Sequence, residues 1–226
     1  MKTISSRHNA LFKRVLRAID EHKDEIAIEG PKAVEDAIAN GWKAIVVLKR
    51  DVDVTPQLFD ALSDTKTSQG VIALFERPLF NDVFNDKVVV ALDGVQDPGN
   101  VGTIVRLAAA FDCGGVVLLP GSADAYGPKA IRASAGAILT VPIVTMTREQ
   151  LLAREWPLFA ADANGKAIDP PPRRAVIVFG NEGSGVSREI AERATKIAIA
   201  MSNRVESLNV ASSAAILLAR TYSRRS

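Results

Sequence analysis

The sequence predicts an α/β protein in two parts, a small α/β unit followed by a larger one built on a parallel sheet. Two observations carry that reading. From residue 88 onward, short apolar runs alternate with helical stretches, the order that crossover connections impose on parallel strands covered on both faces. Ahead of it, Glu76–Lys87 (ERPLFNDVFNDK) mixes proline, asparagine and acids without a sustained period, dividing the chain into residues 1–76, a linker 77–87 and a second domain 88–226. With 226 residues, 47% apolar and 24% charged, the chain can fill such cores and lies far from the composition of disordered proteins.

The first element spans residues 5–19, where Leu11, Phe12, Val15, Leu16 and Ile19 share one helix face and Arg7, Arg14 and Arg17 another. Gly30-Pro31 then opens a helix through Ala39, with proline at a first-turn position where its missing N–H costs nothing. Ala44–Leu48 and Val71–Phe75 read as strands around a helical stretch Thr55–Ser63. In the second domain the expected order is strand 88–92, helix 100–111, strand 115–119, helix 128–134, strand 141–145 and helix 147–154. Strands 157–161 and 175–179, helix 186–193, strand 196–200 and helix 208–222 complete it. Pro170-Pro171-Pro172-Arg173-Arg174 reads as a surface turn.

Composition narrows the function. The single cysteine, Cys113, excludes a disulfide scaffold and a thiolate metal site, reads as buried core, and suits a reducing compartment. His8 and His22 have no metal-like neighbours, so no metal is expected. The opening MKTISSRHN lacks a secretory signal's apolar stretch, and no run reaches the ~18–20 residues of a membrane helix, so a cytosolic protein is expected. A net charge of +2 is too small to name a partner, but the first 19 residues carry five bases and no acid.

In open parallel sheets, ligands bind beyond the carboxyl ends of the strands, so strand-to-helix turns carry the chemistry. The first such turn, Asp93–Gly102 (DGVQDPGNVG), offers Asn100 as an N-cap and sets Gly102 beneath Arg106 on one helix face, an arginine that needs an anionic partner. A second, Gly180-Asn181-Glu182-Gly183-Ser184-Gly185, has the glycine order G-x-x-G-x-G. That is neither the dinucleotide nor the P-loop fingerprint, which weakens an oxidoreductase or NTPase reading. The third runs through Met201–Asn209, where Ser207 or Asn209 can cap the following alanine-rich helix and Leu208 is stranded among polar groups.

Taken in order, NVGTIVR (100–106), VFGNEGSG (178–185) and MSNRVESLNVASSAA (201–215) resemble the three motifs of the SpoU (TrmH) family of RNA ribose 2′-O-methyltransferases. IRASAGA (131–137) fits the same family, and SRHNALFK, GPKAVEDA and SQGVIALF resemble the small RNA-binding domain that precedes the catalytic domain in many members. The resemblance implies a SPOUT-type fold with a carboxyl-terminal trefoil knot, a homodimer, and S-adenosylmethionine bound in the knot. Carried over residue by residue, it makes Arg106 the catalytic arginine, supported by Asn100, Glu182, Ser207 and Asn209. Gly180, Ile199, Met201 and Leu208 would line the cofactor site, and Arg7, Arg14, Arg17 and Arg132 would contact RNA. Ala200 and Asp112 depart from the family's usual proline and glycine.

The implied chemistry has a physical constraint. Lowering an arginine pKa as far as ~8 so that it can act as a base costs roughly 6 kcal/mol at ~1.36 kcal/mol per unit. Arg106 is therefore expected to orient the nucleotide and stabilise developing alkoxide. Ribosomal RNA is the expected substrate; a transfer-RNA methyltransferase and a non-catalytic RNA-binding protein on the same fold are the alternatives. A tail cluster of Arg220, Arg224 and Arg225 is the only feature suggesting an added basic extension.

Overall fold

The computed structural model describes residues 3–63, 68–166, 171–202 and 204–223. They group into two compact units, the first formed by Met1–Pro78 with Tyr126–Arg132 and the second by Leu79–Ala125 with Ala133–Ser226.

The first unit contains α1 (Ala10–Glu21), β1 (Glu25–Glu29), α2 (Pro31–Ala39), β2 (Ala44–Lys49), α3 (Pro56–Asp60) and β3 (Val71–Glu76). Its three strands form an antiparallel sheet in the order β1-β3-β2. Asn9 starts α1 by accepting hydrogen bonds from the backbone N–H of Leu11 (2.8 Å) and Phe12 (3.2 Å). Arg7 consequently lies in the turn before the helix and not on a helical stripe. Phe12, Val15 and Ala18 form the buried face, packing against Leu48, Phe59 and Leu74, while Leu16 stays exposed. β1 escapes a sequence reading because EIAIE is only five residues long and carries acids at both ends, although Ile26 and Ile28 alternate into the core as a strand requires.

The segment 126–132, expected in the second domain, belongs to the first unit. Tyr126 packs tilted against Trp42 at 6.1 Å, and the Arg77 guanidinium sits 4.5 Å over the Tyr126 ring.

Unit two holds β4 (Val89–Asp93), α4 (Pro98–Ala110), β5 (Gly115–Leu119), β6 (Ile143–Thr145), α6 (Arg148–Leu152), β7 (Leu158–Lys166) and β8 (Val176–Gly180), followed by α7 (Arg188–Arg193), β9 (Thr195–Ile197) and α8 (Val210–Ser223). The helix α5 (Pro128–Ala133) straddles the division, and a 3₁₀ turn follows at Ala137–Leu139. All six strands are parallel, in the order β6-β5-β4-β8-β7-β9. β4, β5 and β8 are buried at every position, which accounts for their unbroken apolar runs. The chain lays β5 and β6 to one side of β4 and returns to place β8, β7 and β9 on the other. The strand order thus reverses between β4 and β8, the place where such sheets open a ligand crevice.

Several local expectations change. The linker is exposed only over 79–82, where Leu79 is 88% exposed; Arg77 is held in the first unit and Val83 joins the core of the second. There Phe84 meets Trp156 edge-to-face at 5.1 Å, and Arg154 pairs with Asp82 at 3.1 Å. β9 stops at Ile197, so Ile199 lies in the following loop and not on a strand, in the same loop as Met201. Cys113 is half-buried. Pro171 is buried and only 172–174 form an exposed turn, while Pro170, Arg224 and Arg225 lie outside the described residues. Among the described residues no helix is long and apolar enough to cross a membrane, and no cluster of metal-binding side chains occurs.

Candidate active site

The turn after β4 is shaped by Asp97, whose carboxylate accepts from the N–H groups of Gly99 (2.6 Å) and Asn100 (3.1 Å) at the start of α4. Asp97, not Asn100, is the N-cap, because Pro98 occupies the first helical position, where its missing N–H costs nothing. Asn100, in the first turn, is left with an uncommitted side-chain amide. Its Nδ2 donates to Glu182 Oε1 at 2.9 Å, and its Oδ1 accepts from Asn209 Nδ2 at 3.2 Å.

Asn209 has a second task. Its Oδ1 accepts from the N–H groups of Ala211 (2.9 Å) and Ser212 (3.3 Å), capping α8, so that Ser207 takes no part in the cap. One amide side chain thereby ties the start of α8 to the start of α4. Replacing Asn209 by alanine removes all three bonds; about 1 kcal/mol of stability should be lost from the cap alone, measurable by denaturant unfolding.

The turn after β8 is held by Asn181. Its Nδ2 donates to the Gly94 carbonyl at 2.9 Å, and its Oδ1 accepts from the N–H groups of Gly183 (2.9 Å) and Ser184 (3.0 Å). Asn181 and Gly185 also exchange two backbone hydrogen bonds of 2.9 Å, with Gly185 at φ +72°, where glycine is favoured. This closed turn presents Glu182. Burial pushes the Glu182 carboxyl up, but hydrogen bonds from the Asn100 side chain, its own N–H and the N–H groups of Gln96 and Asp97 prevail and hold it below the usual range. Glu182 is therefore an anionic acceptor at neutral pH and a weak base.

A depressed carboxyl contributes stability above its ordinary value near 4.3 and loses that contribution as pH falls through the lower, folded value. Ligand binding at this turn should accordingly be insensitive to Glu182 between about pH 5 and 8 and weaken only below about pH 4. A carbon-detected NMR titration of the side chain checks this.

The turn after β8 and the segment leading into α8 border a cavity of about 670 Å³, a size typical of small-molecule sites. Its wall is apolar at Phe179, Ile197, Ile199, Leu208 and Leu217 and polar at Asn181, Ser207 and Asn209. Of the residues singled out in the sequence, Gly180, Glu182, Ile199, Met201, Ser207, Leu208 and Asn209 line it. Asn100 is hydrogen-bonded to two of them. Arg106 is not among the lining residues. It is exposed on α4, has no hydrogen-bond or ion-pair partner among the described residues, and lies four residues beyond a buried Gly102.

Arg7, Arg14, Arg17 and Arg132 belong to the first unit. Arg14 is already engaged there, its Nε donating at 3.0 Å to both oxygens of Glu25, whose hydrogen bond and charge raise the guanidinium pKa. Sequence reasoning missed one feature at the cavity: Asp162 of β7, paired with Lys196 of β9 at 2.9 Å and held below its ordinary pKa chiefly by that lysine. Only the β7–β9 pairing, which sets Ala161 opposite Ile197, brings the two together.

The parallel sheet and the capped turns around a cavity at the carboxyl ends of β8, β7 and β9 define an α/β protein with the site position common to open parallel sheets. Comparison with known proteins gives the family. The model of the SpoU rRNA methylase family matches residues 87–219, and the chain belongs to that family. It is 30% identical over 213 residues to the 23S rRNA (guanosine(2553)-2′-O)-methyltransferase RlmP of Bacillus subtilis, covering 84% of this chain and 86% of that protein. A 23S rRNA (adenosine(1067)-2′-O)-methyltransferase of Streptomyces laurentii is 41% identical over 142 residues, 58% of this chain and 53% of that one. Among solved structures, the AdoMet-bound rRNA methyltransferase of Sinorhizobium meliloti superposes with a TM-score of 0.87 at 26% identity, over 99% of this chain and 98% of that chain.

Proposed function

We propose that this protein transfers a methyl group from S-adenosylmethionine to a ribose 2′-hydroxyl of ribosomal RNA. The observation that carries the proposal is the hydrogen-bonded chain Glu182–Asn100–Asn209, which ties the first motif turn to the two that line one cavity. Family membership and the ribosomal RNA 2′-O-methyltransferases to which the chain is similar support the reaction class and the substrate.

The residues present fit that cofactor. Cavity volume and mixed lining suit a nucleoside carrying a charged tail. Gly180 forms part of a wall of bare backbone: a Cβ there would lie 2.2 Å from both Gly185 C and Val186 N. In this reading Ile199, Met201 and Leu208 hold the adenosine by apolar contact and backbone groups, with Gly180 beside it. When bound, S-adenosylmethionine supplies an electrophilic methyl carbon attached to a sulfonium.

Asn100 and Glu182 set the position of the ribose, and Ser207 and Asn209 border the hydroxyl that reacts. Held below its ordinary pKa, Glu182 is an anchor for Asn100 and not the proton acceptor. Arg106 pairs with the target phosphate and meets the negative charge that develops on the 2′-oxygen. Its exposure and its lack of a partner among the described residues support that assignment and a homodimer in which α4 borders the second copy.

The carboxyl-terminal segment is read as a trefoil knot, in keeping with the family and with the tight packing of β7 on β9, where a Cβ at Gly165 would lie 2.8 Å from the Ile197 and Lys196 backbone. Residues 1–76 are read as the RNA-recognition domain, with residues 77–87 joining it to the catalytic domain 88–226; Arg7, Arg14, Arg17 and Arg132 are read as its RNA contacts, Arg7 and Arg17 being exposed and Arg14 held by Glu25. Such contacts predict an affinity that falls steeply with salt.

Isothermal calorimetry with S-adenosylmethionine, followed by methyl transfer to protein-free 23S ribosomal RNA, tests the proposal. Saturable heat and label in the RNA are expected. Heat without label would identify a binding module, and no heat would remove the cofactor assignment.

A further inference from the structure

Asp93, the last residue of β4, has a side chain with no solvent exposure, and it is a carboxylate flanked by two different partners. Its Oδ1 accepts from Arg148 at 2.8 Å (Nε) and 2.7 Å (Nη2), while its Oδ2 accepts from the Ser187 N–H at 2.7 Å. Arg148, at the start of α6, also donates to the Pro120 carbonyl at 3.0 Å. One ion pair thus joins the ends of β4 and β5 to the far end of the loop that follows β8.

That loop is held at both ends by adjacent residues. Asn181 at its start donates to the Gly94 carbonyl, and Ser187 at its close donates to Asp93; Glu182 lies between them. Neither Asp93 nor Arg148 lines the cavity. A buried ion pair is a poor device for stability alone, since its desolvation cost offsets much of the attraction and apolar side chains of similar size serve as well. What it does supply is direction, because Arg148 on Oδ1 and the Ser187 N–H on Oδ2 hold both oxygens and fix where the carboxylate points. We propose that Asp93 and Arg148 are positioning residues for methyl transfer, acting through the Ser187 N–H to set the loop that presents Glu182 to Asn100. This inference rests on the proposed transfer reaction.

The test is a double-mutant cycle on methyl transfer to protein-free 23S ribosomal RNA, with Asp93→Asn, Glu182→Gln and the pair. Asp93→Asn should lower kcat roughly tenfold to a hundredfold, the loss expected when a reacting constellation is displaced by a fraction of an ångström to an ångström. The KM for RNA should stay within about twofold, and in the Glu182→Gln background the same substitution should cost less than about twofold, because the two act in series. Equal fold-losses in both backgrounds would overturn the proposal and leave Asp93 a structural residue.

Should Asp93→Asn not fold, Arg148→Lys enters the same cycle. It keeps the cation at a position 27% exposed, gives up the second prong, and should lose activity to a smaller degree. Hydrogen exchange of the folded variant gives a reading independent of turnover. Faster exchange across 181–187 with α7 unaltered is expected, and an unchanged loop would overturn the positioning role. A wild-type protein that transfers no methyl at all would instead defeat the proposed function.

Discussion

Arg106→Ala is expected to lower methyl transfer by about 10²–10³-fold, the range seen when a single group that stabilises developing negative charge is removed. Stability should change by no more than about 0.5 kcal/mol, because Arg106 is exposed and makes no hydrogen bond or ion pair with the described residues. That separation makes the variant informative, since a catalytic loss in a fully folded protein points to the guanidinium itself. Arg106→Lys sharpens the result. Lysine keeps the charge but not the planar fork, so turnover should remain at least about tenfold below wild type if two-pronged contact with phosphate matters. Near-normal turnover of the lysine variant would show that charge alone suffices and that the geometric role is misassigned.

Gly180→Ala should do the opposite and damage both function and fold. The new Cβ would lie 2.2 Å from Gly185 C and Val186 N and 2.5 Å from the Gly185 carbonyl oxygen, all backbone atoms that cannot rotate away. The turn that Asn181 and Gly185 close must then open. A destabilisation of about 1–3 kcal/mol follows from overpacking, visible as a lower melting temperature. Binding of S-adenosylmethionine should fall with it, since the same backbone lines the cavity. If Gly180→Ala kept the wild-type melting temperature and heat of binding, the turn would have to be far more pliable than its hydrogen bonds imply.

Much of this was legible in the sequence because parallel strands announce themselves. Runs such as Val88–Leu92, Val116–Leu119 and Val176–Phe179 are apolar on both faces, and the polar turns at their ends are short enough to stand out. The three motif turns stand out in that way, and Asn100 is in fact bonded to both Glu182 and Asn209. Choices between neighbouring polar residues were less legible. Asp97 and Asn100 are both good caps, and only the helix starting at Pro98 decides between them. The same holds for Ser207 and Asn209 at α8.

Two features had no local signal. The Asp93–Arg148 pair links residues 55 apart in sequence, and Tyr126–Arg132 leaves the order of the chain to join the first unit. Both depend on which strand ends and surfaces meet, which is a property of topology and not of any window of residues. Arg106 is a different case: its motif position marks it, but the described residues supply it with no partner.

The central claim is that one cavity brings a methyl donor to a sugar oxygen. Nucleoside mass spectrometry of 23S ribosomal RNA, after reaction with S-adenosylmethionine carrying a deuterated methyl group, tests it most directly. Label is expected on a single nucleoside whose released base fragment is unshifted, so that the mark resides on the ribose, with loss of the label in Arg106→Ala. Label that travels with the base fragment would contradict it.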